Sequence, residues 1–290
     1  MLPARLRCLY PFRSNVLDLG GLGYHFVDEG KGDPILCVHG NPTWSFYYRN
    51  LIMRFRDRYR VVAPDHIGCG LSDKPQEYPY VLAQHIDNLE KLVLDLDLRG
   101  ITLVVHDWGG PVGFGVAVRH PERFRRLVIL NTIAFPAQHM PWLLAACRIP
   151  WLGEFLIRGL NAFAALAMVL AVRRPPPPEV RAGYLYPYNS WNNRIANHRF
   201  VLDIPADVRH PSYARLAEVA AGLGRLRDLP AMIVWGERDW VFVPSFVEQW
   251  LERFPGARVH RLRHAHHLVL EDAPEALDQL ESFLKQKEPV

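Results

Sequence analysis

The sequence predicts an α/β fold, a mostly parallel sheet of eight strands with an inserted helical cap. Three observations carry this expectation. Short apolar runs alternate with helical patterns, the signature of strands joined by crossover helices. The alternation stops between Leu130 and Met232, where a long helical stretch intervenes. Polar and titratable residues follow one strand after another, and in open parallel sheets ligands bind beyond the carboxyl ends of the strands.

In chain order, the strands are expected at Val16–Leu19, Tyr24–Asp28, Ile35–Val38, Val61–Ala63, Ile101–Val105, Leu127–Leu130, Met232–Trp235 and Arg258–Arg261. Gly20-Gly21-Leu22-Gly23 separates the first two and suits an antiparallel hairpin. From about Pro136 to Leu226 the chain is rich in Leu, Ala, Trp and Arg and lacks βα alternation. Its apolar and aromatic content argues for a packed lid rather than a disordered linker. Within it Pro175-Pro176-Pro177-Pro178 reads as a stiff connector. The expected organisation is therefore a core of residues 1–135 and 227–290 and a cap of residues 136–226. Leu160–Val172 is the most hydrophobic stretch, but thirteen residues fall short of the ~20 that cross a bilayer. It is expected as a buried or cap helix, with contact at a membrane surface left open.

Composition narrows the class. Nearly half of the 290 residues are hydrophobic, and the formal charge is +4. No basic run carries the interleaved aromatics of a nucleic-acid surface, so no nucleic-acid partner is expected. Arg54, Arg56, Arg58 and Arg60 form the one dense basic run, read as a solvated helix end with an anion patch as the alternative. Cys8, Cys37, Cys69 and Cys147 are scattered without a CxxC pair, and Cys37 suits a buried thiol. A cytoplasmic location is the expectation, since no apolar h-region follows Met1-Leu2-Pro3-Ala4-Arg5.

The strand ends carry the chemistry. His39-Gly40-Asn41-Pro42 follows the third strand and Pro64-Asp65-His66-Ile67-Gly68 the fourth. After the fifth stands His106-Asp107-Trp108-Gly109-Gly110, after the seventh Gly236-Glu237-Arg238-Asp239, and after the eighth His264-Ala265-His266-His267. The fifth-strand turn has the form of a nucleophile elbow, with Asp107 where Ser usually stands. A carboxylate has no proton to lose and attacks an sp3 carbon directly, giving a covalent ester. The competing reading makes Asp107 a helix cap. Such an attack expels an anion, for which the Trp108 indole and the Asn41 amide are candidate donors. Alternatively Trp108 is core packing and Asn41 a turn residue. His267 is the candidate base, with Asp239 fixing its tautomer. His264 and His266 compete for that place, and a three-histidine metal site lacks a supporting Cys or Glu cluster. No cofactor or metal is expected. His39 and His106 are expected to be structural hydrogen-bonders, and Asp65 to brace its own loop.

These motifs resemble the haloalkane dehalogenases. His39-Gly40-Asn41-Pro42-Thr43-Trp44-Ser45, Pro64 through Asp73 and His106-Asp107-Trp108-Gly109-Gly110 all match that family across the α/β-hydrolase core. The resemblance implies an Asp107, His267, Asp239 triad with Asn41 and Trp108 as leaving-anion donors. Arg173-Arg174-Pro175, Pro178 through Tyr184, Tyr188 through Ala196 and Asn131 through Phe135 are similar to one branch, the β-lactone decarboxylases of bacterial long-chain olefin biosynthesis. That branch converts a cis-3,4-dialkyl β-lactone to a cis-alkene and carbon dioxide. A hydrophobic alkyl substrate and assembly with other enzymes of that route follow from the resemblance, and haloalkane hydrolysis is the alternative. Epoxide hydrolysis would call on Tyr184, Tyr186 or Tyr188 as acids, and a non-catalytic scaffold is a further alternative. The family carries Gly before the catalytic His, whereas here His266 stands, which would strain the turn at positive φ. Leu143, Leu144, Leu152, Phe155, Leu160, Phe163 and Leu166 suit either alkyl chains or lid packing.

Overall fold

A computed structural model describes residues 3–137 and 139–286. Met1 and Leu2, part of the segment read for a leader, lie outside the described residues. Eight strands form one sheet: β1 (Ser14–Asp18), β2 (Gly23–Glu29), β3 (Pro34–Val38), β4 (Arg60–Pro64), β5 (Ile101–His106), β6 (Phe124–Leu130), β7 (Ala231–Gly236) and β8 (Arg258–Leu262). Their order is β1-β2-β4-β3-β5-β6-β7-β8. All eight expected strands are present; β1 starts two residues earlier and ends one residue sooner than expected, and each of the others reaches slightly further than its apolar run. β2 pairs antiparallel with β1 and β4, and the remaining pairs are parallel. The hairpin turn is held where Asp18 Oδ1 accepts the Gly21 N–H at 2.6 Å, with Gly20 and Gly21 both at positive φ.

Interior strands are covered on both faces, so every residue of β3, β5 and β7 is buried. Their side chains alternate between two cores. Leu36, Val38, Leu103 and Val105 enter one; Ile35, Cys37, Val104 and Met232 enter the other.

Helices α1 (Ala4–Arg7), α2 (Arg49–Phe55), α3 (Leu82–Asp95) and α4 (Gly109–Arg119) occur among the first six strands. Between β6 and β7 come α5 (Trp142–Ala146), α6 (Leu152–Glu154) running into a π-helical turn (Phe155–Gly159), α7 (Ala162–Leu170), α8 (Pro178–Leu185), α9 (Ile195–Leu202) and α10 (Pro211–Gly222). Helices α11 (Ser245–Arg253), α12 (Val269–Asp272) and α13 (Ala276–Leu284) complete the chain. Among the described residues, no strand falls between Leu130 and Ala231. Within that stretch α10 packs on α3 and α4. By contrast, α5, the π turn and α7 wall a cavity at the strand ends.

The arginine run is taken up by acids: Arg54 and Arg58 meet Glu281, Arg60 meets Asp28, and Arg56 approaches Glu29. Arg54, Arg56 and Arg58 fit the expected solvated helix end, whereas Arg60 opens β4. The four cysteines are free thiols, Cys37 and Cys69 buried. Among the described residues, no single helix is long and apolar enough to cross a membrane; the pair Leu152–Gly159 and Ala162–Leu170 passes on length and composition but bends by 76°.

Candidate active site

The site begins at a strained turn. β5 ends at His106, α4 begins at Gly109, and Asp107 between them has φ +52°. Left-handed backbone is unfavourable for a side-chain-bearing residue and persists only where the surroundings enforce it. Here the Asp107 carbonyl accepts from the Gly110 N–H at 3.0 Å and from the Thr132 hydroxyl. Small neighbours make the turn possible. A Cβ on Gly40 would overlap the Asp107 carboxylate, one on Gly109 the Val38 carbonyl, and one on Gly110 the Thr132 hydroxyl.

The turn aims the Asp107 carboxylate at the cavity, where Oδ1 accepts the Asn41 N–H at 2.6 Å. Burial drives the Asp107 pKa up; His267 and the N–H groups of Trp108 and Asn41 oppose it without cancelling it.

His267 faces Asp107, with Nε2 3.6 Å from Oδ2. On its other side Nδ1–H donates to Asp239 Oδ2 at 2.8 Å. Burial works to depress the His267 pKa, but Asp239 and then Asp107 outweigh it, so the value is raised. Asp239 is itself anchored: Oδ1 accepts from the Val241 and Phe242 N–H groups, and Oδ2 also accepts from Asn131 Nδ2 at 2.8 Å. Asn131 in turn clasps Gly236 in both directions, at 2.8 and 3.2 Å. The acid, the histidine and the second acid thus come together from three strand ends. Asp239 is held by a residue to which the sequence reading gave no role.

Trp108 and Asn41 also line the cavity. The Trp108 indole N–H is buried without a partner among the described residues, which leaves that donor available to a ligand. The Asn41 side-chain amide donates to the Asn197 carbonyl at 3.0 Å. Two donors beside a carboxylate suit an anion displaced from carbon. The cavity, about 220 Å³, is otherwise apolar, with Leu143, Leu144, Phe163 and Leu166 in its wall. Leu152, Phe155 and Leu160 are outside it and exposed to solvent. Four of the seven apolar residues therefore suit alkyl chains, and the other three, facing solvent, fill neither expected role.

The other candidates fall elsewhere. His264 approaches Glu275 at 3.1 Å on the surface. His266 is not among the residues at positive φ, so the expected strain is absent, and its N–H donates to Asp272 Oδ2 at 2.7 Å. His39 Nδ1–H donates to the Gly40 carbonyl, and its Nε2 accepts from the His66 N–H. His106 Nε2–H donates to the His267 carbonyl at 2.9 Å, beneath the site. Asp65 accepts from His25, the Ser45 N–H and the Leu71 N–H, bracing more than its own loop. Tyr184 donates to Glu271 and Tyr188 to the Thr43 carbonyl. Neither these two nor Tyr186 lines the cavity, which removes the acids that epoxide opening would need.

The model of the α/β-hydrolase fold family matches residues 33–274. The chain belongs to the α/β-hydrolase fold family. Within that family it is 44% identical to the cis-3-alkyl-4-alkyloxetan-2-one decarboxylase of Shewanella oneidensis, over 98% of this chain and 92% of the relative. The enzyme of the same name from Xanthomonas campestris pv. campestris is 41% identical over 96% of this chain and 97% of its own. Haloalkane dehalogenase 2 of Mycobacterium tuberculosis is 36% identical over 93% of each. Among solved structures, the haloalkane dehalogenase DatA of Agrobacterium tumefaciens C58 superposes with a TM-score of 0.85 at 26% identity, covering 94% of this α/β-hydrolase-fold chain and 96% of its own.

Proposed function

We propose that this protein is a β-lactone decarboxylase, converting cis-3,4-dialkyl-oxetan-2-ones to cis-alkenes and carbon dioxide. The observation that carries the reading is near-full-length identity of 44% and 41% to two enzymes named for that reaction. It is joined to a carboxylate nucleophile in an apolar cavity. Within residues 136–226, the elements that wall this cavity (α5, the π turn, α7 and α9) act as its lid, while α10 packs on the core helices α3 and α4.

In the first step Asp107 attacks the ring carbon that bears oxygen. The C–Asp107 ester bond forms, the ring C–O bond breaks, and its electrons leave with the substrate carboxylate, which Asn41 and Trp108 receive. Attack from the face opposite the departing oxygen leaves the ester antiperiplanar to the new carboxylate, with both alkyl groups on one side. In the second step the C–CO2 bond breaks and its electron pair forms the double bond, while the ester C–O bond returns its pair to Asp107. Carbon dioxide and a cis-alkene result, and neither step consumes a proton or water. The raised pKa of His267 favours an imidazolium beside Asp107, which stabilises the carboxylate as it departs. Asp239 holds that cation in place.

Haloalkane hydrolysis is the second reading, favoured by the 36% identity to a dehalogenase. There halide takes the place of the displaced carboxylate, and neutral His267 activates water against the ester. Purified protein given a cis-dialkyl β-lactone and, separately, a 1-bromoalkane separates the two. Alkene from the first with little bromide from the second supports decarboxylation; rapid bromide release without alkene overturns it. The resemblance also implies assembly with other enzymes of the same route, which co-purification of the co-expressed set tests.

A further inference from the structure

The helical segment above the cavity turns large apolar side chains outward. Trp142 is 76% exposed and Trp151 85%; Phe155 and Leu160 follow at 54% and 59%. They sit on or next to α5, α6 and the π turn, and α5, the π turn and α7 wall the same cavity. Leu166 and Leu170 are exposed and also line it, so the apolar face runs into the cavity mouth. From 142 to 172 the charged residues are Arg148, Glu154 and Arg158. All three are engaged: Arg148 donates to the Val201, Leu202 and Ile204 carbonyls, and Arg158 pairs with Glu154 at 2.7 Å. Immediately beyond stand the exposed Arg173 and Arg174.

Large apolar side chains exposed in such number along one short segment mark a place where something other than water sits. Its chemistry selects one occupant. Exposed tryptophans favour the boundary between headgroups and acyl chains. The exposed arginine pair that follows α7 complements anionic headgroups. Nine residues of α7 make about 14 Å of helix, too short for a ~30 Å hydrocarbon core. With the 76° bend before it, this segment has the shape of an element lying in the interface rather than crossing it.

We propose that the face built by α5, α6 with its π turn, and α7 docks the protein onto an anionic phospholipid bilayer, with the cavity mouth opening toward the acyl chains. Docking stands on the surface alone; its use, taking an alkyl-bearing substrate from lipid and returning alkene to it, rests on the function proposed above.

The test uses the full chain with vesicles of phosphatidylcholine, with and without phosphatidylglycerol, some carrying brominated acyl chains. The wild type co-sediments with the phosphatidylglycerol vesicles, less so in high salt, and bromine quenches its tryptophan fluorescence. The double substitution Trp142→Glu/Trp151→Glu, at exposed positions outside the cavity wall, weakens vesicle binding by about 10-fold or more. Its alkene formation from detergent-dispersed lactone is unchanged. Absence of alkene from both proteins overturns the function and leaves the vesicle result standing. Folded wild type that neither sediments with vesicles nor is quenched overturns docking. So does a wild-type dimer that the double substitution dissociates, because a second copy then covers this face.

Discussion

At Asp107 burial and hydrogen bonding pull in opposite directions. Desolvation raises its pKa, while His267 and two backbone N–H groups hold it down. A protonated Asp107 cannot attack, so activity is lost as pH falls through its raised pKa. His267 is raised as well, and decarboxylation draws on its charged form, so activity is lost as pH rises through that value. Lactone decarboxylation is therefore expected to follow a bell between the two. Hydrolysis of a haloalkane would instead gain rate as His267 loses its proton. The two readings predict opposite alkaline limbs, which initial rates of alkene formation from the lactone and of bromide release from a 1-bromoalkane, each followed from pH 4 to 10, distinguish. Asp107→Asn removes the proposed nucleophile and is expected to lower turnover by about 10³-fold or more. Turnover near the wild-type rate in that variant would displace Asp107 from the mechanism.

Among the elements, the elbow and the lid contacts make separate demands. Gly40→Ala places a methyl against the Asp107 carboxylate, and the loop after β3 must shift to admit it. Overpacking of this kind costs about 1–3 kcal/mol. A drop of several degrees in Tm, with kcat reduced more than KM is raised, is the expected outcome; wild-type kinetics would mean that the approach is looser than the geometry says. On the opposite side, α8 is tied to α12 by Tyr184, whose hydroxyl donates to Glu271 at 2.5 Å. Arg49 grips the same carboxylate with two nitrogens and lies 4.5 Å from the Phe46 ring centroid. Glu271 is four residues beyond His267, so this buried cluster links the helical segment to the turn carrying the histidine. Tyr184→Phe leaves the Glu271 acceptor short of a donor, at a cost of about 1.5–3 kcal/mol. Thermal unfolding is the readout, and an unchanged Tm would show that the bond contributes nothing net.

Over the whole molecule, legibility follows range in sequence. The strands could be read because buried parallel strands are continuous apolar runs, and the helical insertion because strand rhythm stops there. Asp107, His267 and Asp239 could be read because each closely follows a strand. Asn131 could not be assigned a role, since its partners Asp239 and Gly236 lie more than one hundred residues away. Neither could Arg49 and Glu271, which meet across 222 residues. Gly40 read as loop composition, because its need for smallness arises only when Asp107 folds against it. Leu143 and Leu152 looked alike in sequence, yet one enters the cavity wall and the other faces solvent. Helix orientation decides that difference, and a strongly apolar segment conceals it.

Turnover of a cis-dialkyl β-lactone in ¹⁸O-water, followed by mass measurement of the peptide carrying Asp107, tests the central claim most directly. Decarboxylation returns the ester electrons to Asp107 without water, so alkene accumulates over many turnovers while the peptide stays unlabelled. Hydroxy-acid product accompanied by ¹⁸O in the Asp107 carboxylate would show that water opens the ester, and would contradict the account.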